Sequence, residues 1–350
     1  MEIDYLIIGQ GLAGSLLAWE LSQRQKKVYI IDNGKENASQ VAAGLINPVT
    51  GMRFVKSTDV DRLLPIAINY YHQLSLYFQR TLYIEKPMLR ILRSNKEILT
   101  CQKRIQQAEY APYLSEPIPS SPSINAPLGL IKQKKTGYLL TKALLTELKR
   151  YFISINAYEI NDIKYNEIEL SPKLSWKGIY PKQIIFCEGH HASNNPWFSW
   201  LPFQPVKGEI ITATATQKIP QHILNYGHWF IPLDGYQFRT GATFDRDKLD
   251  TQITMDAKET LLSSLKQVYP GLTLERINNQ QAGIRPTTQD KQPFIGNHPI
   301  HPKLVIFNGF GAKGSLQIPW YSKRLADNLL NKRPIPQACD ILRYTHLYPN

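Results

Sequence analysis

The chain has 350 residues, 43% hydrophobic and 20% charged, so it can bury a large core and is neither disordered nor fibrous. Its formal net charge of +13 favours an anionic partner such as a carboxylate, a phosphate-bearing cofactor or a polynucleotide, the alternative being a merely solubilising surface. The excess is concentrated in residues 86–135 and 281–350, each with nine basic and three acidic residues.

The three cysteines, Cys101, Cys187 and Cys339, lie far apart along the chain. Their spacing fits neither a disulfide framework nor a metal site, so we expect a reducing compartment, a cytoplasmic location and no metal. The acidic residues within the first four positions and the short apolar runs predict neither a signal peptide nor a membrane span. The oligomeric state is left open.

A β-α-β unit is predicted at the start of the chain. Residues 5–8 and 28–31 are apolar runs typical of strands buried on both faces, and the segment between them has helical spacing up to about Gln23. The first strand runs into a glycine-rich turn over residues 9–14, and the second ends at Asp32. This context is typical of a dinucleotide-binding unit.

Each position of this unit has a physical reason. Gly9 permits the tight turn, Gly11 lets the backbone approach a pyrophosphate, and Gly14 lets the helix pack closely on the strand. The helix begins at Leu12 and Ala13, where unpaired N–H groups and the positive end of the dipole favour phosphate. Asp32 is placed to accept hydrogen bonds from the ribose hydroxyls, and the alternative is a glycine turn with no ligand.

The following elements alternate in type. Helical spacing predicts helices over residues 61–83, 142–152, 256–268 and 315–330. Apolar runs predict buried strands over 183–187 and 303–308, and antiparallel strands over 208–214, 229–232 and 236–243 with a turn at Asp234-Gly235. Five prolines and four serines predict an extended loop over 112–127 that is not a core element.

A second glycine turn repeats the first spacing at Gly309, Gly311 and Gly314, with Ala312 and Lys313 between them. The 36 residues that follow hold no strand to complete another β-α-β unit. We therefore expect this turn to return to the same sheet and to aim a second helix N-terminus at the same cofactor. A flavin benefits from such a helix because reduction places negative charge on its N1 and C2 carbonyl, so FAD is predicted over NAD.

These motifs together resemble the D-amino-acid oxidase and glycine oxidase superfamily of FAD-dependent amine oxidases, and they span almost the whole chain in the family's order. The C-terminal pattern is also similar to the oxidase half of the bacterial bifunctional tRNA methylaminomethyl-thiouridine enzyme. The residues that carry the resemblance are 7–14 with Asp32, 42–48, 205–209, 241–243, 283–286 with Asp290, 293–296, and 309–314 with Pro319.

The resemblance implies an α/β chain, α+β overall, with a Rossmann-like FAD-binding domain over residues 1–85, 136–205 and 281–350. An antiparallel-sheet substrate domain is expected over residues 86–135 and 206–280. FAD is expected to be non-covalent, because no cysteine stands where a covalent link would form. The family's small Ala/Thr-x-Gly turn is here Cys187-Glu188-Gly189, so Gly189 is kept as a cofactor contact while Glu188 is a departure that would repel phosphates unless it points away.

Arg285, in the Gly-x-Arg-Pro motif, is implied to bind the substrate carboxylate, and a planar guanidinium suits that pairing. The alternative is a surface arginine or an ion pair with Asp290. Trp229 stands where related oxidases place a tyrosine-bearing strand over the flavin, and His228 beside it is a candidate base; a core role is the alternative for each. The small residues Ala42, Ala43 and Gly44 are expected to let the backbone approach the isoalloxazine edge closely.

The leading hypothesis is an FAD-dependent oxidoreductase that oxidises a C–N bond of an amino acid or secondary amine. Hydride would pass to flavin N5, the imine would hydrolyse, and O2 or another acceptor would reoxidise the cofactor. The second hypothesis is a tRNA-modifying oxidase acting on carboxymethylaminomethyl-uridine, motivated by the basic residues Arg90, Arg93, Lys96, Lys103, Arg104, Lys132, Lys134 and Lys135. A flavin-bound structural or sensor protein with no turnover is the third.

Overall fold

The computed structural model describes residues 1–120 and 123–348. The helices α1 to α7 are Leu12–Gln23, Ala38–Val41, Val60–Tyr77, Asn95–Ile105, Thr141–Ser154, Met255–Val268 and Gly314–Asn331. The strands β1 to β21 are Glu2–Ile8, Val28–Asp32, Leu45–Ile46, Val49–Thr50, Val55–Lys56, Tyr83–Glu85, Met88–Ile91, Leu114–Ile118, Leu130–Gln133, Gly137–Leu139, Tyr158–Ile160, Ile168–Glu169, Ser175–Trp176, Tyr180–Phe186, Val206–Ala215, Ile223–Asn225, Trp229–Pro232, Gln237–Gly241, Leu274–Arg285, Phe294–Asn297 and Leu304–Asn308. Short 3₁₀ turns cover Ala108–Tyr110, Tyr165–Glu167, Gly189–Asn194, Gly311–Lys313 and Ile341–Leu347.

The chain packs as two units. Unit 1 comprises Met1–Gln40, Thr141–Val206 and Ile284–Asn350, and unit 2 comprises Val41–Leu140 and Lys207–Gly283. This division places residues 41–85 and 136–140 in unit 2, whereas the sequence interpretation gave them to the cofactor domain. The reason is local: β3 and β6, which both lie in that segment, pair with β10 to form a three-stranded sheet inside unit 2.

Unit 1 contains a six-stranded sheet in the order β11-β2-β1-β14-β21-β20. The first five strands are parallel, and β20 pairs antiparallel with β21 at one edge. Helix α1 packs against α7 and α5. Strand β21, which precedes the second glycine turn, lies in the same sheet as β1. The spacing of that turn led us to expect this arrangement.

Continuous burial explains why the parallel strands read as unbroken apolar runs. Leu6, Ile7, Ile184 and Ile306 are fully buried, so residues on both sides of the central strands lie in the core. On one side of the sheet, apolar residues of β1, β14 and β21 pack with Phe198.

Unit 2 is built on an eight-stranded sheet in the order β19-β15-β18-β17-β16-β7-β9-β8. Strand β18 pairs antiparallel with both β15 and β17. The predicted hairpin turn joins β17 to β18, where Asp234 Oδ1 accepts hydrogen bonds from the backbone N–H groups of Tyr236 and Gln237. Two hydrophobic clusters occupy unit 2: one includes Phe230, Phe238 and residues of α6, and the other includes Ile231 and Tyr138.

The prediction of a non-core loop over residues 112–127 is wrong for part of that segment. Residues 114–118 form β8, and Ile124 and Ala126 are 3% and 2% exposed. β8 lies at the edge of the sheet, where a proline such as Pro117 is tolerated because one side of an edge strand has no partner. Residues 121 and 122 lie outside the described residues.

The predicted helix over residues 61–83 ends early. α3 stops at Tyr77, Gln79 has a φ of 49°, and residues 83–85 form β6. A left-handed residue cannot continue a right-handed helix, so the apolar residues beyond it belong to a different element. Within the described residues, no helix is both long and apolar enough to cross a membrane.

Candidate functional site

The first glycine turn is packed so closely that side chains cannot replace two of its glycines. A Cβ on Gly9, which has a φ of +103°, would lie 2.5 Å from the carbonyl oxygen of Cys187. A Cβ on Gly14 would lie 2.0 Å from the carbonyl oxygen of Gly9. These contacts join β1, α1 and β14, which is the close helix–strand packing that the sequence motif predicts.

Gly11 differs from the other two glycines because its surroundings are roomier. It is the N-cap of α1 and has no side-chain capping bond, and a Cβ there would lie 3.3 Å from Ser39 Oγ. The backbone N–H of Leu12 donates to that same hydroxyl at 3.0 Å. The N-terminus of α1, including Ala13, thus begins at a glycine whose missing side chain leaves the first-turn N–H groups approachable.

Asp32 joins the end of β2 to the first glycine turn. Its Oδ2 accepts a hydrogen bond of 2.8 Å from the backbone N–H of Gln10, and its Oδ1 accepts one of 2.8 Å from Gly34. The hydroxyl of Tyr158, which lies in the neighbouring strand β11, is buried with no hydrogen-bond partner among the described residues. Asp32 therefore already holds the turn in place and remains able to accept further hydrogen bonds.

The side chain of Glu188, the residue that departs from the family's turn, is held by two neighbouring side chains. The carboxylate accepts hydrogen bonds from Tyr165 and Asn195 and is buried between them. Burial raises the pKa of Glu188 to about 7. The next residue, Gly189, has a φ of +60° and its carbonyl accepts a 2.8 Å hydrogen bond from Asn308, which ties the end of β14 to the end of β21.

The second glycine turn packs against the Gly-x-Arg-Pro segment. A Cβ on Gly309 would lie 2.7 Å from Thr288 Cγ2, and one on Gly311 would lie 3.0 Å from Thr287 Cγ2. The backbone N–H of Gly311 also donates to the carbonyl of Pro286 at 3.2 Å. Two motifs that lie 23 residues or more apart in the sequence are thereby held side by side.

The N-terminus of α7 follows that turn directly. Ala312 and Lys313 form a single 3₁₀ turn, and α7 begins at Gly314 with no side-chain capping bond from Lys313. Lys313 is half-buried, and burial together with the charge of Lys291 lowers its pKa. The lysine is therefore not a fully solvated surface residue.

Arg285 ends β19 and is half-buried, and burial lowers the pKa of its guanidinium. The sequence interpretation left open an ion pair with Asp290. In the structure Arg343 Nε donates to Asp290 Oδ2 at 2.8 Å, so the carboxylate of Asp290 is engaged elsewhere.

In unit 2, Gly44 is fixed against β10. A Cβ there would lie 2.0 Å from the carbonyl oxygen of Leu139, and Leu139 N–H donates to the carbonyl of Gly44 at 2.9 Å. Ala43 packs beside the cluster of Ile231 and Tyr138. Ala42 precedes it in the same half-buried segment. The small-residue motif therefore covers one face of the eight-stranded sheet of unit 2.

Trp229 lies on that same face. It is directly opposite Gly241 in the β17–β18 ladder, and a Cβ on Gly241 would lie 2.9 Å from Trp229 Cζ2. The indole packs beside the cluster that contains Ile231, and the residue is half-buried. Gly241 thus supplies the space that the indole occupies, and the ring keeps an accessible surface.

His228 is not brought to the face of Trp229. Its ring makes an edge contact with Tyr226 at 5.9 Å between centroids, and Tyr226 belongs to the other cluster, with Phe230. His228 Nδ1 lies 3.2 Å from the carbonyl oxygen of Ala242, and burial lowers the pKa of the imidazole. This placement accounts for the histidine by packing and one backbone hydrogen bond.

The motif at residues 205–209, which is part of the family resemblance, contains a buried charge network within unit 2. Lys207 Nζ donates to Asp250 Oδ1 at 2.6 Å and to the carbonyl of Gln252 at 2.5 Å. Glu209 accepts hydrogen bonds from Thr254 and Gln280. These hydrogen bonds hold the segment before α6 against β15. The motif therefore has a structural role in unit 2.

Six of the nine basic residues in 86–135 are exposed, Lys86 and Arg104 are half-buried, and Arg90 is buried. Arg90 has a side chain only 6% exposed, pairs with Glu97 at 3.5 Å and stacks on Phe54 at 3.9 Å from the ring centroid. Its inclusion in a docking surface was therefore wrong. The exposed members are Arg93, Lys96, Lys103, Lys132, Lys134 and Lys135, with Arg104 half-buried.

The sequence interpretation missed Arg239, a half-buried arginine in the middle of β18. A signal was present, because a cation stands between Phe238 and Thr240 in a strand whose neighbours are apolar or small. Both of those flanking residues are fully buried.

Comparison with known proteins identifies the class. Residues 4–328 match the family model of the FAD dependent oxidoreductases, DAO, and the chain belongs to that family. It is an FAD-dependent oxidoreductase. Its fold is that of glycine oxidase from Geobacillus kaustophilus, with a TM-score of 0.82 and 19% identity over 98% of both chains. Iminodiacetate oxidase (IdaA) from Chelativorans sp. BNC1 gives a TM-score of 0.79 and 21% identity, covering 97% of this chain and 98% of that one.

A relative with a different activity in its name matches almost the whole chain. The tRNA 5-methylaminomethyl-2-thiouridine biosynthesis bifunctional protein MnmC of Idiomarina loihiensis is 23% identical over 364 residues, covering 97% of this chain. The chain spans 57% of the length of that relative. Glycine oxidase of Bacillus licheniformis is 30% identical over 129 residues, covering 37% of this chain and 35% of that protein.

Proposed function

We propose that this protein oxidises a C–N bond of an amino acid or secondary amine whose carboxylate is bound by Arg285. The observation that carries the proposal is the hydrogen bond from Gly311 N–H to the carbonyl of Pro286. It holds the residue after Arg285 against the second glycine turn, immediately before the N-terminus of α7. A half-buried guanidinium in that place is suited to a bidentate pair with a carboxylate.

The residues of unit 1 fit FAD. The crowding at Gly9 and Gly14, the glycine at the N-cap of α1 and the acceptor Asp32 suit a pyrophosphate and a ribose. A second set of contacts is proposed for Gly189 and the turn over residues 309–314, which includes Lys313. In unit 2, the small residues 42–44 are proposed to allow close approach of the backbone to the cofactor.

FAD, when bound, supplies the acceptor for a hydride from the carbon that carries the amine nitrogen. The protein's own residues position the substrate. Arg285 fixes the carboxylate, which orients the neighbouring carbon and removes the freedom it has in solution. Trp229 offers an apolar surface that excludes water from the substrate. The imine product hydrolyses in water.

The test is to purify the protein with its flavin and to follow the visible absorbance anaerobically. Glycine, sarcosine and iminodiacetate are compared with methylamine and dimethylamine, which lack a carboxylate. We expect bleaching by one or more of the first group and little by the second. A flavin that no amine bleaches would support the alternative of a flavin-bound protein without turnover.

We propose as a second candidate that the same chemistry acts on a tRNA uridine that carries a carboxymethylaminomethyl group. Two observations favour it. A bifunctional tRNA-modifying relative matches 97% of this chain. In unit 2, the lysines 132, 134 and 135 are all exposed around the end of β9, where they are able to contact phosphates.

A salt titration of tRNA binding separates the two candidates. Reversing Lys132, Lys134 and Lys135 to glutamate should reduce both the affinity and the steepness of its salt dependence, since about three phosphate contacts are lost. Reversing Lys218, Lys248 and Lys266, which are exposed elsewhere in unit 2, is the matched control. Equal binding by the two triple variants, or weak binding that vanishes at physiological salt, would leave the small-molecule substrate as the function.

A further inference from the structure

Glu188 lies where the sheet of unit 1 changes its direction of winding. From β1 the chain crosses through α1 to β2 on one side of β1, whereas β14 and β21 extend the sheet on the other side. In an open parallel sheet, ligands bind in the crevice outside the carboxyl ends of the two strands at such a point. Glu188 follows the end of β14 by two residues, so it stands at that crevice.

The segment that carries Glu188 contacts both glycine turns of unit 1. On the side of β1, a Cβ on Gly9 would lie 2.5 Å from the carbonyl oxygen of Cys187 and 3.5 Å from the Cα of Glu188. On the side of β21, the side chain of Asn308 donates to the carbonyl of Gly189 at 2.8 Å. Residue 188 therefore lies between the two turns that are proposed to hold the cofactor.

Neutral donors alone hold the carboxyl group of Glu188. Tyr165 and Asn195 donate at 2.9 and 2.8 Å, and no basic side chain in the part of the chain that the structure describes pairs with it. Burial raises the pKa of Glu188 to about 7. When the group ionises, its negative charge is therefore not compensated by a cation.

The other titratable groups beside Glu188 remain neutral while it ionises. Burial raises the pKa of Tyr165 and of Cys187. His190 and His191 follow in the next 3₁₀ turn, where burial lowers the pKa of His190 to about 4 and also lowers that of His191. Glu188 is thus the group at this position whose charge changes near neutral pH.

The charged side chains of the neighbouring segments interact with other residues. In the turn that carries Tyr165, Glu167 pairs with Lys177 at 3.1 Å. Lys35, in the loop after β2, interacts electrostatically with His191. Neither lysine compensates the charge of Glu188.

We infer that Glu188 couples FAD binding to pH, because its ionisation adds a negative charge at the edge of the sheet where the anionic cofactor is proposed to bind. FAD then binds more tightly to the protonated protein, and its release is favoured as the pH rises. By linkage, bound FAD in turn favours the protonated carboxyl group. The inference rests on the FAD site proposed for unit 1 and adds a control of its occupancy.

The test dilutes the holoprotein at pH 6 and at pH 8.5 and follows the fluorescence of released FAD, which gives the dissociation constant. We expect the parent to bind FAD on the order of 10-fold less tightly at pH 8.5, as one charge in a partly buried site would cause. Glu188→Gln should bind FAD nearly equally at both pH values, and about as tightly as the parent does at pH 6.

Two further variants make the test specific. Tyr165→Phe removes a hydrogen bond that favours the ionised carboxylate, so the loss of FAD affinity should begin at a higher pH. Glu169, exposed in β12, accepts a hydrogen bond from Ser175 that a glutamine oxygen is also able to accept. Glu169→Gln thus removes one negative charge from unit 1 and should keep the pH dependence of the parent.

The inference is overturned by FAD affinity that does not depend on pH in the parent, by an unchanged dependence in Glu188→Gln, or by its equal loss in Glu169→Gln. If Glu188→Gln does not fold, an unshifted midpoint in Tyr165→Phe overturns it. Loss of FAD from Gly11→Val with pH-independent binding in the parent would keep the proposed FAD site and remove only the coupling. A pH-dependent affinity in a protein that oxidises no amine would leave the coupling in place.

Discussion

The hydroxyl of Tyr165 donates a 2.9 Å hydrogen bond to Oε1 of Glu188, whose side chain is half-buried in unit 1. Asn195 Nδ2 donates to the other oxygen at 2.8 Å. Neither donor neutralises the charge, so burial dominates and raises the pKa of Glu188 to about 7. The carboxyl group is thus held by Tyr165 and Asn195 and is half protonated near neutral pH.

This burial makes the stability depend on pH. The folded protein binds the proton of Glu188 up to about pH 7, while the unfolded chain releases it near pH 4.5. The contribution of this proton to the free energy of unfolding is therefore fully present below pH 4.5. It is lost as the pH rises towards 7, and the loss is on the order of 3 kcal/mol. Glu188→Gln should flatten that dependence, measured as the free energy of unfolding in urea between pH 5 and 8. Glu259→Gln, at an exposed position of α6, is the control, and parallel curves for Glu188→Gln and the parent would contradict the assignment.

The second prediction concerns the cofactor. Gly11→Val should fold but retain little FAD, because its Cβ meets only Ser39 Oγ at 3.3 Å while the branch occupies the expected place of the pyrophosphate. The purified parent should be yellow, and acid should release its FAD because no covalent link is expected. Gly235→Ala, with nothing within 4 Å of the added Cβ, is the matched control for adding a side chain. Full FAD occupancy in Gly11→Val would refute the placement.

The third prediction concerns Arg285. Arg285→Ala should lower kcat/KM for amino-acid substrates ~30-fold to several thousand-fold. This loss corresponds to about 2–5 kcal/mol of transition-state stabilisation. Arg285→Lys keeps the charge but loses the planar fork, so its loss should be intermediate. The effect should be small for amines without a carboxylate, and the FAD content should stay normal. Loss of FAD or of folding in Arg285→Ala would instead identify the arginine as structural.

The fourth prediction contrasts two neighbours in the chain. Trp229→Ala should raise KM ~5- to 30-fold, because an apolar surface for the substrate is removed. This change corresponds to about 1–2 kcal/mol of substrate-binding free energy. His228→Asn should leave kcat within about threefold and lower stability by about 1 kcal/mol, because only packing and one hydrogen bond are lost. Steady-state kinetics and thermal unfolding distinguish them. A collapse of kcat in His228→Asn would restore the histidine as a base.

Sequence patterns predicted the buried parallel strands and the two glycine turns because those elements carry local signals. The strand at 229–232 has the predicted bounds, since aromatic and β-branched residues end there at a proline and a turn. The polar strand β19 was not predicted, because its sequence from Leu274 to Asn279 has no apolar alternation and its pairing with β15 is a long-range choice. Likewise, no local signal distinguishes the face of Trp229 from that of His228, because register fixes both.

Asp32 has a consequence for binding thermodynamics. Its two hydrogen bonds to Gln10 and Gly34 are made within the protein, so Asp32 ties together the loops at the carboxyl ends of β1 and β2. Ordering the backbone of a mobile loop costs about 1–2 kcal/mol per residue, and a preorganised turn spares the ligand that cost. The heat and entropy of FAD association should therefore resemble those of a rigid receptor. Asp32→Ala should weaken affinity mainly through an added entropic penalty, in excess of the loss of any contact to the ribose.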